Sequence, residues 1–244
     1  MLRKILSSFK QYIKFKPFSY LNSISWFYRD YQKLKAEKNH SFKISDEYLY
    51  PCLTDKTTNT PLDHIYFYQN AWAASKIFSY KPSRHFDIAS QAGFVGIVSQ
   101  FVPTTMVDIR PIDVQLNGLD FLEADILKLP IADNSLESVS SICVVEHIGL
   151  GRYGDSVDAY GSEKAIVELK RITKPGGKIL FTVPIDKESR IYFNAHRAFT
   201  RQHIIEHFKD CILMEEKYIY GDRMFDEYSA DKGFGTGLFY FQKN

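Results

Sequence analysis

Two acids, two bases and an aromatic hydroxyl lie close together in the stretch EHIGLGRYGD, residues 146–155. Glu146 or His147 could take a proton from a substrate hydroxyl, and Arg152 could bind a carboxylate or phosphate through two parallel hydrogen bonds. Three glycines allow the backbone to bend closely around a ligand. The alternative is a structural loop with an Arg152–Asp155 pair and a buried Glu–His contact. We predict catalytic roles for Glu146 and His147, and substrate contacts for Arg152, Tyr153 and Asp155.

A second polar stretch, NAHR at residues 194–197, follows the strand-like run 178–184 after a short connection. It can reach the same crevice, so we predict that His196 is a further catalytic base. Asn194 and Arg197 are predicted to contact the substrate. The alternative is a helix-capping Asn194 and a surface arginine.

No metal site is predicted, because the chain has no HExxH motif and no acid cluster of the calcium-loop type. His85, His203 and His207 lie in elements without a partner pattern, and we interpret them as structural. The three cysteines are far apart and odd in number, so they form neither a zinc-ligand pattern nor a disulfide framework. A reduced, cytoplasmic setting is the simplest interpretation.

The stretch DIASQAGFVG, residues 87–96, has the outline of a phosphate- or cofactor-binding turn. A strand-like run ends in Asp87, and a helix-like stretch follows Gly93. Ala89 and Gln91 stand where such a turn favours glycine. A side chain at a position that needs a positive φ costs on the order of 1 kcal/mol, and the Gln91 side chain could occupy part of the cofactor's space.

Elements that would position these residues alternate between short apolar runs and helical stretches, which is typical of a parallel α/β sheet. The turn KPGG separates a helix from the fifth run, and caps are predicted at Asp63 and Thr200. No good helix lies between the last two runs, so we expect them to form an antiparallel hairpin. The seven predicted strands are 85–89, 104–109, 118–125, 138–146, 178–184, 212–220 and 237–243.

Four segments in this order resemble the class I S-adenosylmethionine (SAM)-dependent methyltransferases over roughly residues 60–244. They are DIASQAGFVG, TMVDIRP, FLEADILKLPIADNSLESVSS and LKRITKPGGKILFTVP. The resemblance implies a Rossmann-like fold with a mostly parallel seven-stranded sheet, a C-terminal antiparallel hairpin and SAM as the cofactor. It implies cofactor contacts by Asp87, Ala89, Gln91, Gly93, Asp108, Ile109, Asp125 and Ile126.

Two of these acids have a clear physical reason to bind a nucleoside. Asp108 ends the second run and could accept two hydrogen bonds from a ribose diol. Asp125, one strand later, could accept from an exocyclic amine. The alternatives are a turn residue ahead of Arg110-Pro111 for Asp108, and a helix cap or loop acid for Asp125.

VVEHIGLGRYGDSVDAYG and YFNAHRAF are similar to domain-of-unknown-function family 268, whose reaction is not established. Members of that family are often encoded among genes for surface polysaccharide synthesis. The resemblance therefore implies a sugar or sugar-nucleotide substrate by association.

The first 58 residues are predicted to be a basic helical extension of a domain spanning 59–244. Residues 1–38 carry nine Lys and Arg against two Asp and Glu, and Leu2 to Ile13 contain an apolar stripe at helical spacing. Such a helix could lie on an anionic membrane surface; the alternatives are a capping helix or a dimer contact. The net charge of +2 indicates no nucleic-acid partner.

The sequence thus predicts a cytoplasmic SAM-dependent methyltransferase acting on a hydroxyl of a sugar or sugar-nucleotide, with a peripheral membrane location as an option. The alternative is a protein of the same fold that no longer methylates and serves as a sugar-processing enzyme or binding subunit. A nicotinamide-dependent enzyme is disfavoured, because GxGxxG is absent. The oligomeric state is left open.

Overall fold

The computed structural model describes residues 17–37 and 41–244, with side chains from residue 22 onward. The chain divides into two units, Met1–Leu62 and Asp63–Asn244. The predicted stripe from Leu2 to Ile13 lies outside the described residues. Helix α1, Pro17–Ala36, belongs to the first unit. None of the helices in the described part of the chain combines the length and apolar character needed to cross a membrane.

An eight-stranded sheet forms the centre of the second unit. Its order is β3-β2-β1-β4-β5-β10-β8-β9, parallel from β3 to β5 and antiparallel from β5 to β9. The strands are β1 His85–Ile88, β2 Thr104–Asp108, β3 Leu119–Glu123, β4 Leu136–Ile142, β5 Thr173–Ile185, β8 Cys211–Tyr220, β9 Arg223–Phe225 and β10 Gly235–Lys243. A separate pair, β6 Arg190–Tyr192 and β7 His196–Ala198, lies outside this sheet.

The predicted fold class is confirmed, although the prediction of seven strands was short by one. The extra strand, β9, pairs with the end of β8 through only three residues. Such a segment is too short to show the alternation by which a strand is recognised in a sequence. The C-terminal strands pair antiparallel, as expected.

Helices cover both faces of the sheet. They are α2 His64–Tyr80, α3 Ala92–Val98, α4 Gly161–Ile172 and α5 Arg201–His207. Alternate residues of β5 face opposite sides: Leu180 packs in the cluster formed by α2 and α3, and Phe181 in the cluster formed by α4 and α5. The predicted caps are observed, because the side chains of Asp63 and Thr200 accept hydrogen bonds from the first turns of α2 and α5.

KPGG, predicted as a turn before the fifth strand, lies within β5, where it forms an irregular bulge against β4. Leu136 is opposite Thr173, while Ser138 is opposite Lys178. Four residues of β5, 174–177, therefore loop out against one residue of β4, Glu137. Gly176 has a φ of +76° in this bulge, which explains why glycine is needed there.

Candidate active site

A cavity of about 860 Å³ opens at the carboxyl ends of β1, β2, β3 and β4. This is the edge at which open α/β sheets bind ligands, and the volume is within the range of small-molecule sites. Its wall is built from the segments that follow these four strands, together with Tyr66 of α2. The residues of this wall include Tyr66, Ala89, Gln91, Asp108, Arg110, Asp125, Ile126, Cys143, His147, Tyr153 and Asp155.

The turn after β1 keeps the shape of a glycine turn without the glycines. Ala89 has a φ of +57°, in the left-handed region. Gln91 has a φ of −58°, so the strain expected at this turn falls on Ala89 alone. The Gln91 side chain accepts a hydrogen bond from Asn70 of α2 at 3.0 Å, and this contact holds it against α2. Gln91 thus lines the cavity while its side-chain oxygen is engaged by α2.

Asp87 and Gly93 support this turn rather than facing the cavity. Asp87 is fully buried, and its carboxylate accepts hydrogen bonds from the Ser90 amide at 2.9 Å and from the Ser140 hydroxyl. Burial raises the pKa of Asp87 to about 6. Gly93 is the second residue of α3 and points to open space outside the cavity wall. Direct cofactor contact by these two residues stays a prediction that this geometry does not favour.

Ala89→Gly is expected to raise the free energy of unfolding by up to ~1 kcal/mol, because glycine adopts the left-handed conformation without steric cost. The matched control is Ala92→Gly in the first turn of α3. Glycine has no conformational advantage there, and the free energy of unfolding should fall by about 0.5–1 kcal/mol. Urea denaturation measures both variants. An equal loss of stability in the two would show that position 89 is not strained.

The two predicted nucleoside-binding acids lie at the carboxyl ends of two paired strands, Asp108 as the last residue of β2 and Asp125 two residues after β3. Asp108 is buried at the end of β2 and accepts hydrogen bonds from the Arg110 amide at 2.9 Å and from the Arg110 guanidinium at 3.3 and 3.4 Å. Asp125 is exposed, and one of its oxygens accepts from the Leu127 amide at 2.8 Å. Both acids thus also have the local structural roles considered as alternatives. Ile109 and the buried Ile126 lie beside them in the wall.

Glu146 and His147 form a pair beside the cavity, in which Glu146 is buried and His147 is partly buried in the cavity wall. Glu146 is 2% exposed, and burial raises the pKa of its carboxyl to about 8. Its Oε1 lies 3.7 Å from His147 Nε2, and its Oε2 is buried without a hydrogen-bond partner among the described residues. Burial lowers the pKa of His147 to about 4. At neutral pH the pair is therefore uncharged, and the contact is not an ion pair.

The orientation of His147 is set by a backbone carbonyl. Its Nδ1 lies 2.6 Å from the Ala195 oxygen, which can only accept, so Nδ1 carries the proton and Nε2 carries the lone pair. Arg152 donates to the same oxygen at 2.8 Å. His147 thus presents an unprotonated nitrogen beside Glu146, as a proton-accepting pair requires.

Two guanidinium groups flank the ring of Tyr153 at the cavity wall. Arg110 lies 4.5 Å and Arg152 lies 5.1 Å from the ring centroid. These stacking contacts concentrate positive charge where a substrate could enter. Sequence reasoning treated Arg110 only as part of a turn, because its partner Tyr153 is distant in the chain.

Asp155 organises the loop that carries these residues. Its carboxylate accepts from the amides of Gly149 at 2.7 Å, Tyr153 at 3.2 Å and Gly151 at 3.3 Å. These hydrogen bonds keep the pKa of Asp155 below its ordinary value, against the opposing effect of burial. The structural alternative predicted an Arg152–Asp155 pair, and the structure instead gives each residue backbone partners. The Glu–His contact of that alternative is present.

The segment 194–197 contacts the loop that carries Glu146 and His147. Arg197 is 5% exposed and donates to the carbonyls of Ile148 at 2.5 Å and Asp158 at 2.9 Å, so it is neither a surface arginine nor free to clamp an anion. His196 packs against the rings of Tyr192 and Phe234. Asn194 is exposed and precedes β7, whereas the following helix is capped by Thr200. Ala195 contacts the side chain of His147 through its carbonyl.

A buried polar group missed by sequence reasoning lies beside the cavity wall. Gln69 of α2 is fully buried, and its Oε1 accepts from the Cys143 thiol and the Thr182 hydroxyl, both at 3.1 Å. Its Nε2 has no partner among the described residues. Cys143 has a φ of +53°, and its thiol is within hydrogen-bond reach of Glu146. Nothing in the sequence around Gln69 distinguishes it from a residue on an ordinary helix face.

The fold is that of the class I SAM-dependent methyltransferases. NodS, an N-methyltransferase from Bradyrhizobium japonicum WM9, is 16% identical with a TM-score of 0.54, over 74% of this chain and 97% of that chain. A second similar structure is the 1,6-didemethyltoxoflavin-N1-methyltransferase from Burkholderia thailandensis, solved with 1,6-didemethyltoxoflavin and S-adenosylhomocysteine bound. It is 14% identical with a TM-score of 0.53, over 94% of this chain and 91% of that chain.

The same fold also carries other chemistry. The [4+2]-cyclase SpnF is 12% identical with a TM-score of 0.52, over 71% of this chain and 81% of that chain. At such identities the likeness establishes the fold alone.

A family model described as Caenorhabditis protein of unknown function, DUF268, matches residues 128–221. That stretch includes β4, the Glu146–Asp155 loop and the segment 194–197. No curated protein matches this sequence. The resemblance inferred from the sequence, both to the class I methyltransferases and to this family, is confirmed.

Proposed function

We propose that the protein is a SAM-dependent methyltransferase that acts on a hydroxyl of a small anionic acceptor, a sugar-nucleotide or related sugar. The observation that carries the proposal is the arrangement of one cavity. The left-handed Ala89 turn, the two carboxylates of Asp108 and Asp125, and His147 all line it, and buried Glu146 lies 3.7 Å from His147 Nε2. A nucleoside cofactor and an acceptor hydroxyl need these two sets of groups in one cavity.

The residues that follow β1, β2 and β3 in the cavity wall fit SAM. Ala89 follows the backbone course of a glycine turn, and Gln91 is held by Asn70. Asp108 would accept from the ribose hydroxyls, sharing its carboxylate with Arg110, and Asp125 and Ile126 would border the adenine. When bound there, SAM supplies a methyl group on a positively charged sulfur. The chain's own task is then to align the acceptor and to remove its proton.

The Glu146–His147 pair provides the proton acceptor. His147 lies in the cavity wall, and Glu146 Oε1 lies 3.7 Å from His147 Nε2. Transfer would break the donor's sulfur–carbon bond as the acceptor oxygen takes the methyl group; His147 Nε2 would accept the proton of the acceptor hydroxyl, and the carboxylate of Glu146 would stabilise the resulting charge. This role requires ionised Glu146, so the rate is expected to rise as the pH rises through about 8.

An anionic acceptor is supported by the two arginines on Tyr153. Arg110 lines the cavity, and Arg152 lies on the ring of Tyr153, another lining residue, so both place positive charge beside the cavity. A guanidinium binds a phosphate oxygen pair well, which favours a sugar-nucleotide over a neutral sugar. A role in surface polysaccharide synthesis, a cytoplasmic location and peripheral membrane contact through the basic N-terminus form the rest of this proposal.

A second candidate is a protein of this fold that does not transfer methyl groups. Gln91 in place of the second glycine favours it, and SpnF illustrates a fold relative described as a cyclase. Cofactor affinity separates the two candidates, because only the first requires tight binding of SAM or its product.

Isothermal titration calorimetry with S-adenosylhomocysteine and SAM tests the proposed function. We expect micromolar binding to the native chain and an affinity within about fivefold of native for Gln91→Ala, because Asn70 holds the Gln91 side chain. The control is Gln202→Ala on the exposed face of α5. Absence of binding at millimolar ligand would exclude a methyltransferase. A tenfold rise in affinity for Gln91→Ala would identify an obstructed site, and a tenfold fall would identify Gln91 as a ligand.

A further inference from the structure

We propose that Glu163, His203 and His207 form a binding site for Zn²⁺ that is separate from the cavity and joins α4 to α5. Glu163 lies in the first turn of α4, and the two histidines lie on α5. One potential ligand atom from each side chain lies within 4.8 Å of the others. Two histidines with a carboxylate are a common protein ligand set for zinc, with water in the fourth position.

The spacing of the histidines suits metal binding. His203 and His207 are four residues apart, so they project from one face of α5. Their rings stack with centroids 4.3 Å apart and planes inclined by 21°. Ligand atoms around a tetrahedral zinc lie about 3.4 Å apart. His203 Nε2 and Glu163 Oε1, at 3.6 Å, already meet this spacing, and the ligand atom of His207 lies within 4.8 Å of both side chains' ligand atoms.

The tautomer of His207 is the one that a metal ligand needs. Its Nδ1 lies 2.8 Å from the His203 carbonyl oxygen, which can only accept, so Nδ1 carries the proton and Nε2 carries the lone pair. Metal-binding histidines usually donate their second ring nitrogen to such a carbonyl or to a carboxylate. The helix backbone therefore orients this ligand before any metal binds.

Two atoms of the cluster lack a partner that a metal would supply. His203 Nε2 and Glu163 Oε2 are buried, and neither has a hydrogen-bond partner among the described residues. An unpartnered buried polar atom is costly.

The sequence predicted no metal site because the carboxylate and the histidines are distant in the chain. The two histidines alone match no motif, and Glu163 joins them only where α4 and α5 pack together. Both helices follow segments that build the active-site region: residues 146–160 precede α4, and residues 194–200 precede α5. Zinc at this position would hold the two segments in a fixed relation.

Titration of Zn²⁺ into the full chain, freed of any affinity tag and stripped with a chelator, tests the site. We expect one Zn²⁺ per chain and an increase in melting temperature, while Mg²⁺, which prefers oxygen ligands, gives neither. His207→Gln and Glu163→Gln should each weaken Zn²⁺ binding by more than about tenfold, since even the loss of a group that only orients a ligand has an effect of that size. Co²⁺ should show the visible absorption of a low-coordinate site, and Zn²⁺ should abolish it.

The controls separate this cluster from other histidines and from unfolding. Glu206→Gln removes an exposed acid of α5, and His196→Gln removes the histidine near His147; both should retain native Zn²⁺ affinity. Far-UV circular dichroism of the metal-free variants checks the fold, and His203→Gln replaces any variant that fails to fold. The site is rejected if Zn²⁺ does not bind stoichiometrically, if binding survives in the ligand variants, or if His196→Gln abolishes it.

Discussion

Glu146→Gln is expected to lower kcat/KM for methyl transfer by ~10²–10⁴-fold and to leave the affinity for S-adenosylhomocysteine unchanged. Glu146 lies beside His147 and, unlike Asp108 and Asp125, does not line the cavity. Removal of its carboxylate leaves the methyl donor in place but removes the charge that stabilises a protonated His147. Transfer of label from SAM into a small-molecule extract measures activity, and calorimetry measures cofactor binding.

The same substitution has a second effect that does not depend on the acceptor. The pKa of Glu146 is about 8 in the folded protein against an ordinary value of 4.5. The folded state therefore binds this proton more tightly than the unfolded chain, so the contribution of Glu146 to stability is full below pH 4.5 and is lost as the pH rises towards 8. Glutamine does not ionise, and at pH 9 the variant should be more stable than the native chain by up to ~5 kcal/mol.

Thermal or urea unfolding at pH 5 and pH 9 checks this expectation. The stability difference between Glu146→Gln and the native chain should grow with pH. Glu123→Gln, an exposed acid at the end of β3, is the matched control and should show no such trend. A pH-independent difference for Glu146→Gln would mean that Glu146 is already ionised in the folded protein.

Asp108→Ala is expected to weaken S-adenosylhomocysteine binding by about 10- to 100-fold, because a hydrogen bond to a charged group contributes ~1.5–3 kcal/mol. Asp108 ends β2, is largely buried, and faces the cavity beside the Ala89 turn. A ribose diol could bind both of its oxygens. Calorimetry with the native chain and the variant under identical conditions measures the change.

Two controls distinguish a ribose contact from a general loss of structure. Arg110→Ala removes the protein partner of Asp108 but keeps the carboxylate, so affinity should stay within about fivefold of native. Asp222→Ala removes an exposed acid between β8 and β9 and should have no effect. If Arg110→Ala weakens binding as strongly as Asp108→Ala, the turn formed by the two residues matters more than the carboxylate itself.

Much of the fold was predictable because it depends on local patterns. The apolar runs located β1 to β5, β8 and β10, and the caps at Asp63 and Thr200 located the starts of α2 and α5. The strand β9 was missed because three residues carry no periodicity. The bulge at KPGG was missed because glycines that loop out within a strand resemble glycines in a turn between elements.

The candidate site was predictable in place but not in detail. Residues that directly follow parallel strands must meet at one edge, so Asp108, Asp125 and His147 were expected to share a cavity, and they line the same one. Which partner each side chain takes depends on segments far away in the chain. Arg197 was predicted to contact substrate, yet its guanidinium donates to the backbone carbonyls of Ile148 and Asp158. The buried Gln69 was not predicted as a site residue.

The sequence by itself determined the order of strands and helices, the position of the cofactor turn and the acids that follow the strands, since each depends on residues close in the chain. Only the tertiary structure decided that Ala89 takes the left-handed conformation, that Glu146 is buried with a raised pKa, and that Glu163 meets His203 and His207. Burial and contact arise when distant segments pack, and a proton's affinity or a metal's ligand set is a property of that packing.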